Sequence, residues 1–81
     1  MKVMFFAQLR EKLGSTDTEV DVVLPCSVAQ LRLVLSEMFP QYKTDFIQGK
    51  ALVAVNQTLS DEMQMIQQGD EVAVFPPVTG G

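Results

Sequence analysis

The 81-residue chain has no histidine, no tryptophan and a single cysteine, Cys26. Without histidine, neither a Ser-His nor a Cys-His nucleophile pair can be assembled. One cysteine excludes an internal disulfide, and with no histidine beside it the usual zinc sites are excluded too. A lone thiol also fits a reducing compartment. There is no GxxxxGK[ST] phosphate loop and no GxGxxG turn. Basic residues are few: six Lys and Arg lie scattered among ten Asp and Glu, for a net charge of −4. Counterion release from nucleic acid needs a basic face, so no nucleic-acid partner is expected. No apolar run approaches the roughly 20 residues of a spanning helix. Met1-Lys2 leads straight into a strand-like run with no small-residue cleavage site behind it. The expectation is a cytoplasmic protein with no membrane partner. The acidic pairs Asp61-Glu62 and Asp70-Glu71 stand in polar, turn-like surroundings and read as solvated loop carboxylates rather than an acid/base dyad. The chain carries little with which to catalyse a reaction alone.

What is present suffices for one modest core: 47% of the residues are apolar. Met1 to Ala7 reads as a strand, with Val3, Phe5 and Ala7 on one face and Met4 and Phe6 on the other. Gln8 to Leu13 reads as a short helical turn closed by Gly14. Thr18 to Leu24 alternates as a second strand. The clearest element is the helix opening at Ser27. Ser27 and Gln30 form a capping box, Cys26 and Leu31 the hydrophobic staple, and Pro40 the stop. Its buried stripe is Val28, Leu31, Leu35, Met38 and Phe39. Cys26 thereby has a packing role, and no cationic neighbour is apparent that would make its thiol reactive. After a polar connection, Ala51 to Val55 is a third strand, Asn56-Gln57 a turn, and Thr58-Leu59 a short return. Asp61 to Gln68 is irregular or a helical turn carrying Met63, Met65 and Ile66 inward. Gly69-Asp70 turns the chain into a last strand, Glu71 to Phe75. One helix cannot cover both faces of such a sheet, so Met4, Phe6 and the last strand either finish the core or form a protein-binding patch.

The chain ends Pro76-Pro77-Val78-Thr79-Gly80-Gly81. The prolines remove two donors and favour an extended course, so residues 76–81 reach roughly 20 Å past the last strand. A terminal glycine offers an α-carboxylate with no Cβ beside it, which a narrow channel in a partner can admit. This organisation predicts a domain over residues 1–75 and an extended tail over residues 76–81.

Three stretches resemble a known family: Lys2-Val3-Met4-Phe5-Phe6-Ala7-Gln8-Leu9-Arg10-Glu11, Ala54-Val55-Asn56-Gln57-Thr58, and Gly69 through Gly81. They are similar to the small subunits of molybdopterin synthase, sulfur carriers of the ubiquitin-like β-grasp class. The resemblance runs the length of the chain and is loosest from Gln41 to Lys50. It implies an α+β fold, a mixed four- to five-stranded sheet on one main helix, followed by a flexible Gly-Gly tail. It further implies that a partner resembling ubiquitin-activating enzymes, using ATP and Mg²⁺, adenylates Gly81, and that a persulfide donor converts it to a thiocarboxylate. The tail of such a carrier enters the large catalytic subunit and donates sulfur to cyclic pyranopterin monophosphate, two loaded carriers serving each dithiolene in a heterotetramer. By the same resemblance Phe6, Arg10, Leu59 and Phe75 lie at the large-subunit interface and Pro76, Pro77, Val78, Thr79 and Gly80 line the insertion channel. The chain itself would bind no cofactor and no metal. Two alternatives share the fold and the terminus: a thiamine-pathway sulfur carrier, against which the Phe-Pro-Pro-Val-Thr approach argues, and a ubiquitin-like protein modifier.

Overall fold

Alternation along Lys2–Phe5 (β1) sends Val3 and Phe5 into the core and leaves Met4 half-exposed on the other face. In this computed structural model, which describes residues 1–47 and 50–77, β1 is followed by the helix Ala7–Leu13 (α1) and Asp17–Glu19 (β2). Cys26–Ser27 (β3), the helix Val28–Met38 (α2) and a 3-10 segment, Pro40–Asp45, come next. Leu52–Val55 (β4), Thr58–Ser60 (β5), Met65–Ile66 (β6) and Val72–Phe75 (β7) complete the order. The main sheet has five strands in the order β2-β1-β7-β4-β5, with β1 and β7 parallel and the other neighbours antiparallel. It is the mixed α+β sheet expected. Val28, Leu31 and Leu35 of α2 are fully buried and share one core with Val3, Phe5, Val53, Val72 and Val74. Phe5, Phe39 and Phe46 form an aromatic triangle there, with ring centroids 6.0 to 6.3 Å apart.

Local chemistry explains the boundaries. Ser27 accepts the Gln30 N–H at 3.1 Å, and the Ser27 N–H donates to Gln30 Oε1 at 2.8 Å, so the capping box is formed. Gly14 sits at φ 68° after α1 and donates its N–H to the Arg10 carbonyl, a left-handed cap that suits glycine. Asn56 and Gln57, both at positive φ, make the two-residue turn between β4 and β5. Ala7 has φ 55° although it is not glycine, at a cost of roughly 1–2 kcal/mol.

Several sequence expectations are corrected. Ala7 does not continue the core face of β1: it is exposed and opens α1. The second strand leaves the sheet after Val20, which exchanges both backbone bonds with Met1. Beyond that pair, Val23 is 86% exposed. The stretch before Gly69 contains a strand, β6, paired with β3 (Cys26↔Ile66, Ser27↔Met65), so only Ile66 turns inward. Met63 is 84% exposed and Met65 42%. Within the helix stripe, Met38 is 39% exposed, while Arg32 is buried. Arg32 Nε lies 2.7 and 2.9 Å from the two carboxylate oxygens of Glu62, and its Nη1 donates to the carbonyls of Phe46 and Ile47. Glu62 is therefore a structural partner rather than a solvated loop carboxylate. Asp70 is likewise engaged: its carboxylate accepts from the Gln67 N–H and the Asn56 amide, which hold it below the usual carboxylate range.

Candidate functional site

The face of the sheet turned away from α2 carries a continuous apolar surface, and strand register builds it. One row crosses the sheet as Met4↔Ala73↔Ala54↔Leu59. A second row pairs Phe75 with Leu52. Because β1 and β7 run parallel and pair Phe5 with Val74, Phe6 emerges beside Phe75, and its N–H donates to the Val74 carbonyl at 3.1 Å. Phe6 is 44% exposed and Leu59 60%, whereas Phe75, Leu52, Met4 and Ala73 are half-buried. Alanines at 54 and 73 keep the floor between Met4 and Leu59 low.

The tail leaves from the edge of this surface. β7 ends at Phe75, and Pro76 and Pro77, both half-buried, follow with no strand assignment. Phe6, Leu59 and Phe75 thus share one face with the root of the tail. Arg10 stands apart, exposed on α1, and among the described residues no carboxylate pairs with it. Val78, Thr79, Gly80 and Gly81 lie outside the described residues. Leu52 and Ala54 belong to the same surface and were missed in the sequence, because cross-strand register is not written in any one strand.

Residues 3–81 match the sequence profile of the ThiS family. The molybdopterin synthase sulfur carrier subunit of Escherichia coli K12 is 46% identical over 81 residues, spanning 100% of this chain and 99% of that one. The chain belongs to the ThiS family. A second relative in it, the Haemophilus influenzae protein of the same name, is 38% identical over 100% of this chain and 99% of its own. Among solved structures, small archaeal modifier protein 1 of Haloferax volcanii is similar with a TM-score of 0.80 at 28% identity, over 96% of this chain and 97% of that one. The ubiquitin-like fold of this ThiS-family chain is thereby shared with a solved protein along nearly its whole length.

The remaining chemistry of the ThiS-family domain is sparse. Among the described residues no three His, Cys, Asp or Glu side chains gather as a metal site, and no helix is long and apolar enough to cross a membrane. Cys26 is 2% exposed in the core, and burial pushes its thiol pKa up. A thiol held protonated and out of reach is a poor nucleophile. Cys26→Ser is therefore expected to retain sulfur transfer and to lose about 1 kcal/mol of stability, as for a modest core substitution. A folded Cys26→Ser protein that no longer transfers sulfur would move the sulfur chemistry away from the tail.

Proposed function

We propose that this chain is a molybdopterin synthase sulfur carrier subunit that carries sulfur as a thiocarboxylate on Gly81 and delivers it within a large catalytic subunit. The observation that carries the reading is the placement of Phe6, Phe75, Leu52 and Leu59 on one open sheet face at the root of the Pro76-Pro77 tail. The names and full-length span of the relatives support it. A carboxylate is a poor acyl electrophile. An adenylating partner of the ubiquitin-activating kind, using ATP and Mg²⁺, would join Gly81 to AMP and release pyrophosphate. The terminal sulfur of a donor persulfide then attacks the acyl carbon and AMP leaves. A second thiol cleaves the resulting acyl disulfide and frees the thiocarboxylate. In the large subunit the sulfur passes to cyclic pyranopterin monophosphate, and two loaded carriers complete the dithiolene. Catalytic groups come from the partner, consistent with the absence of histidine and the burial of Cys26 here.

In this reading the sheet face docks the large subunit, Phe6, Leu59 and Phe75 are its apolar anchors, and Arg10 adds a separate cation from α1. Pro76, Pro77, Val78, Thr79 and Gly80 thread the channel. Phe75→Ala is expected to weaken binding to the large subunit by at least about 2 kcal/mol, the scale of a buried aromatic anchor. A thermal melt must accompany the titration because Phe75 is half-buried. Unchanged affinity, or a loss matched by unfolding, removes Phe75 from the interface.

The decisive experiment is the intact mass of the protein from its native cell, followed by incubation of the loaded form with large subunit and pterin precursor. A thiocarboxylate consumed in step with dithiolene formation supports the proposal. A plain carboxylate under conditions of active cofactor synthesis overturns it. The likeness to small archaeal modifier protein 1 favours one second reading, conjugation through Gly81. An isopeptide adduct in the same mass measurement would establish it.

A further inference from the structure

Ala7 occupies the joint between β1 and α1, and its left-handed φ of 55° suits glycine better than alanine. Its side chain is exposed, so packing does not explain the alanine. Directly before it, Phe6 is extended (φ −127°, ψ 156°), bonded to Val74 through its N–H, and in register beside Phe75. Directly after it, α1 packs against β7 and carries Arg10. One backbone joint therefore links the strand end that carries Phe6 to the helix that carries Arg10. Strained positions of this kind persist where the surroundings hold them and gather at functional sites.

We infer that Ala7 is a positioning residue for docking. The left-handed basin open to alanine is small, whereas glycine ranges over much of the positive-φ half of the map. Alanine at this joint holds Phe6 and α1 in one arrangement before the partner arrives, so less freedom is lost on binding. The inference rests on the docking reading above and concerns the joint itself rather than an apolar anchor.

The test is Ala7→Gly in the full chain, measured by thermal melt and by titration with purified large subunit, beside Ala7→Asn and Phe6→Ala. Asparagine tolerates the left-handed region and keeps a Cβ. Ala7→Gly is expected to melt no lower than the unaltered protein, since relief of strain opposes the gain in unfolded-chain freedom. Its affinity is expected to fall about two- to fivefold, the loss that glycine's extra freedom implies. Ala7→Asn is expected to bind as the unaltered protein does. A purely structural role would move stability and affinity together, whereas positioning lowers affinity alone. Unaltered affinity of Ala7→Gly, with Phe6→Ala still weakened, overturns the inference and leaves the docking face standing. Unaltered affinity of both overturns the docking face as well. A melting temperature that falls along with affinity assigns Ala7 to the fold and also overturns the inference.

Discussion

Arg32→Ala is expected to destabilise the domain by about 3 kcal/mol, the lower end of the range for breaking a buried ion pair by removing one partner. Arg32 is 8% exposed, its Nε faces both oxygens of Glu62, and its Nη1 holds the carbonyls of Phe46 and Ile47. Truncation strips these acceptors of their donor. The Glu62 side chain is 22% exposed, so water recovers part of the loss and the lower end applies. Each kcal/mol shifts the midpoint by roughly 4–8 °C in a domain of this size, so the melt should fall by about 12 °C or more. Arg32→Ala combined with Glu62→Ala should cost less than the sum of the two single changes, because each single change already breaks the pair. A loss below about 1 kcal/mol for Arg32→Ala would place the pair with ordinary surface salt bridges.

That ion pair also shows where the sequence stopped being readable. Ser27, Gln30 and Pro40 mark the ends of α2 by local chemistry, and Gly14 marks the end of α1, so both helices were legible from a few residues each. Alternation in Lys2–Phe5 separates Val3 and Phe5 from Met4 without any knowledge of neighbours. Arg32 carries no such local sign. Its burial depends on Glu62, thirty residues away, and on carbonyls of the segment after Asp45, and hydropathy alone places a guanidinium outside. Met63 and Met65 failed for the opposite reason. They are apolar, but a two-residue strand at Met65–Ile66 and an Asx turn at Asp61, whose carboxylate accepts the N–H groups of Met63 and Gln64, aim them outward.

The docking face divides along the same line. Phe6 could be placed opposite the core from the period of β1, and the last strand raised the possibility of a patch. The joining of Phe6, Phe75, Leu52 and Leu59 on one surface follows from the strand order, with β7 between β1 and β4. That central place also explains why the tail starts where it does. A parallel neighbour on one side brings the end of β1 alongside the end of β7, and an antiparallel neighbour on the other brings Leu52 beside Phe75. The apolar surface and the root of the tail at Pro76 are thus coupled by topology.

Deleting Gly81 is expected to abolish sulfur transfer while leaving the melting temperature unchanged. The fold should be indifferent because β7 makes its last cross-strand pair at Phe75, six residues before Gly81. Transfer should be sensitive because reacting atoms must approach within about 3–3.5 Å. One residue fewer withdraws the terminal carbon by roughly 3.3 Å, as much as the whole permitted gap. If Phe6, Leu59 and Phe75 dock the large subunit as proposed, they cannot compensate, since they would fix the root of the tail and with it the reach of the end. Adding a residue beyond Gly81 should be as damaging, because the acyl carbon then belongs to a different residue at a different depth. Gly81→Ala keeps the length and adds a Cβ beside the carboxylate, so it should be impaired less than the deletion. The measurement is thiocarboxylate-dependent conversion of the pterin precursor by purified large subunit, run with a thermal melt of each variant. Full turnover by the shortened or lengthened chain would show that Gly81 is not the carrier of sulfur.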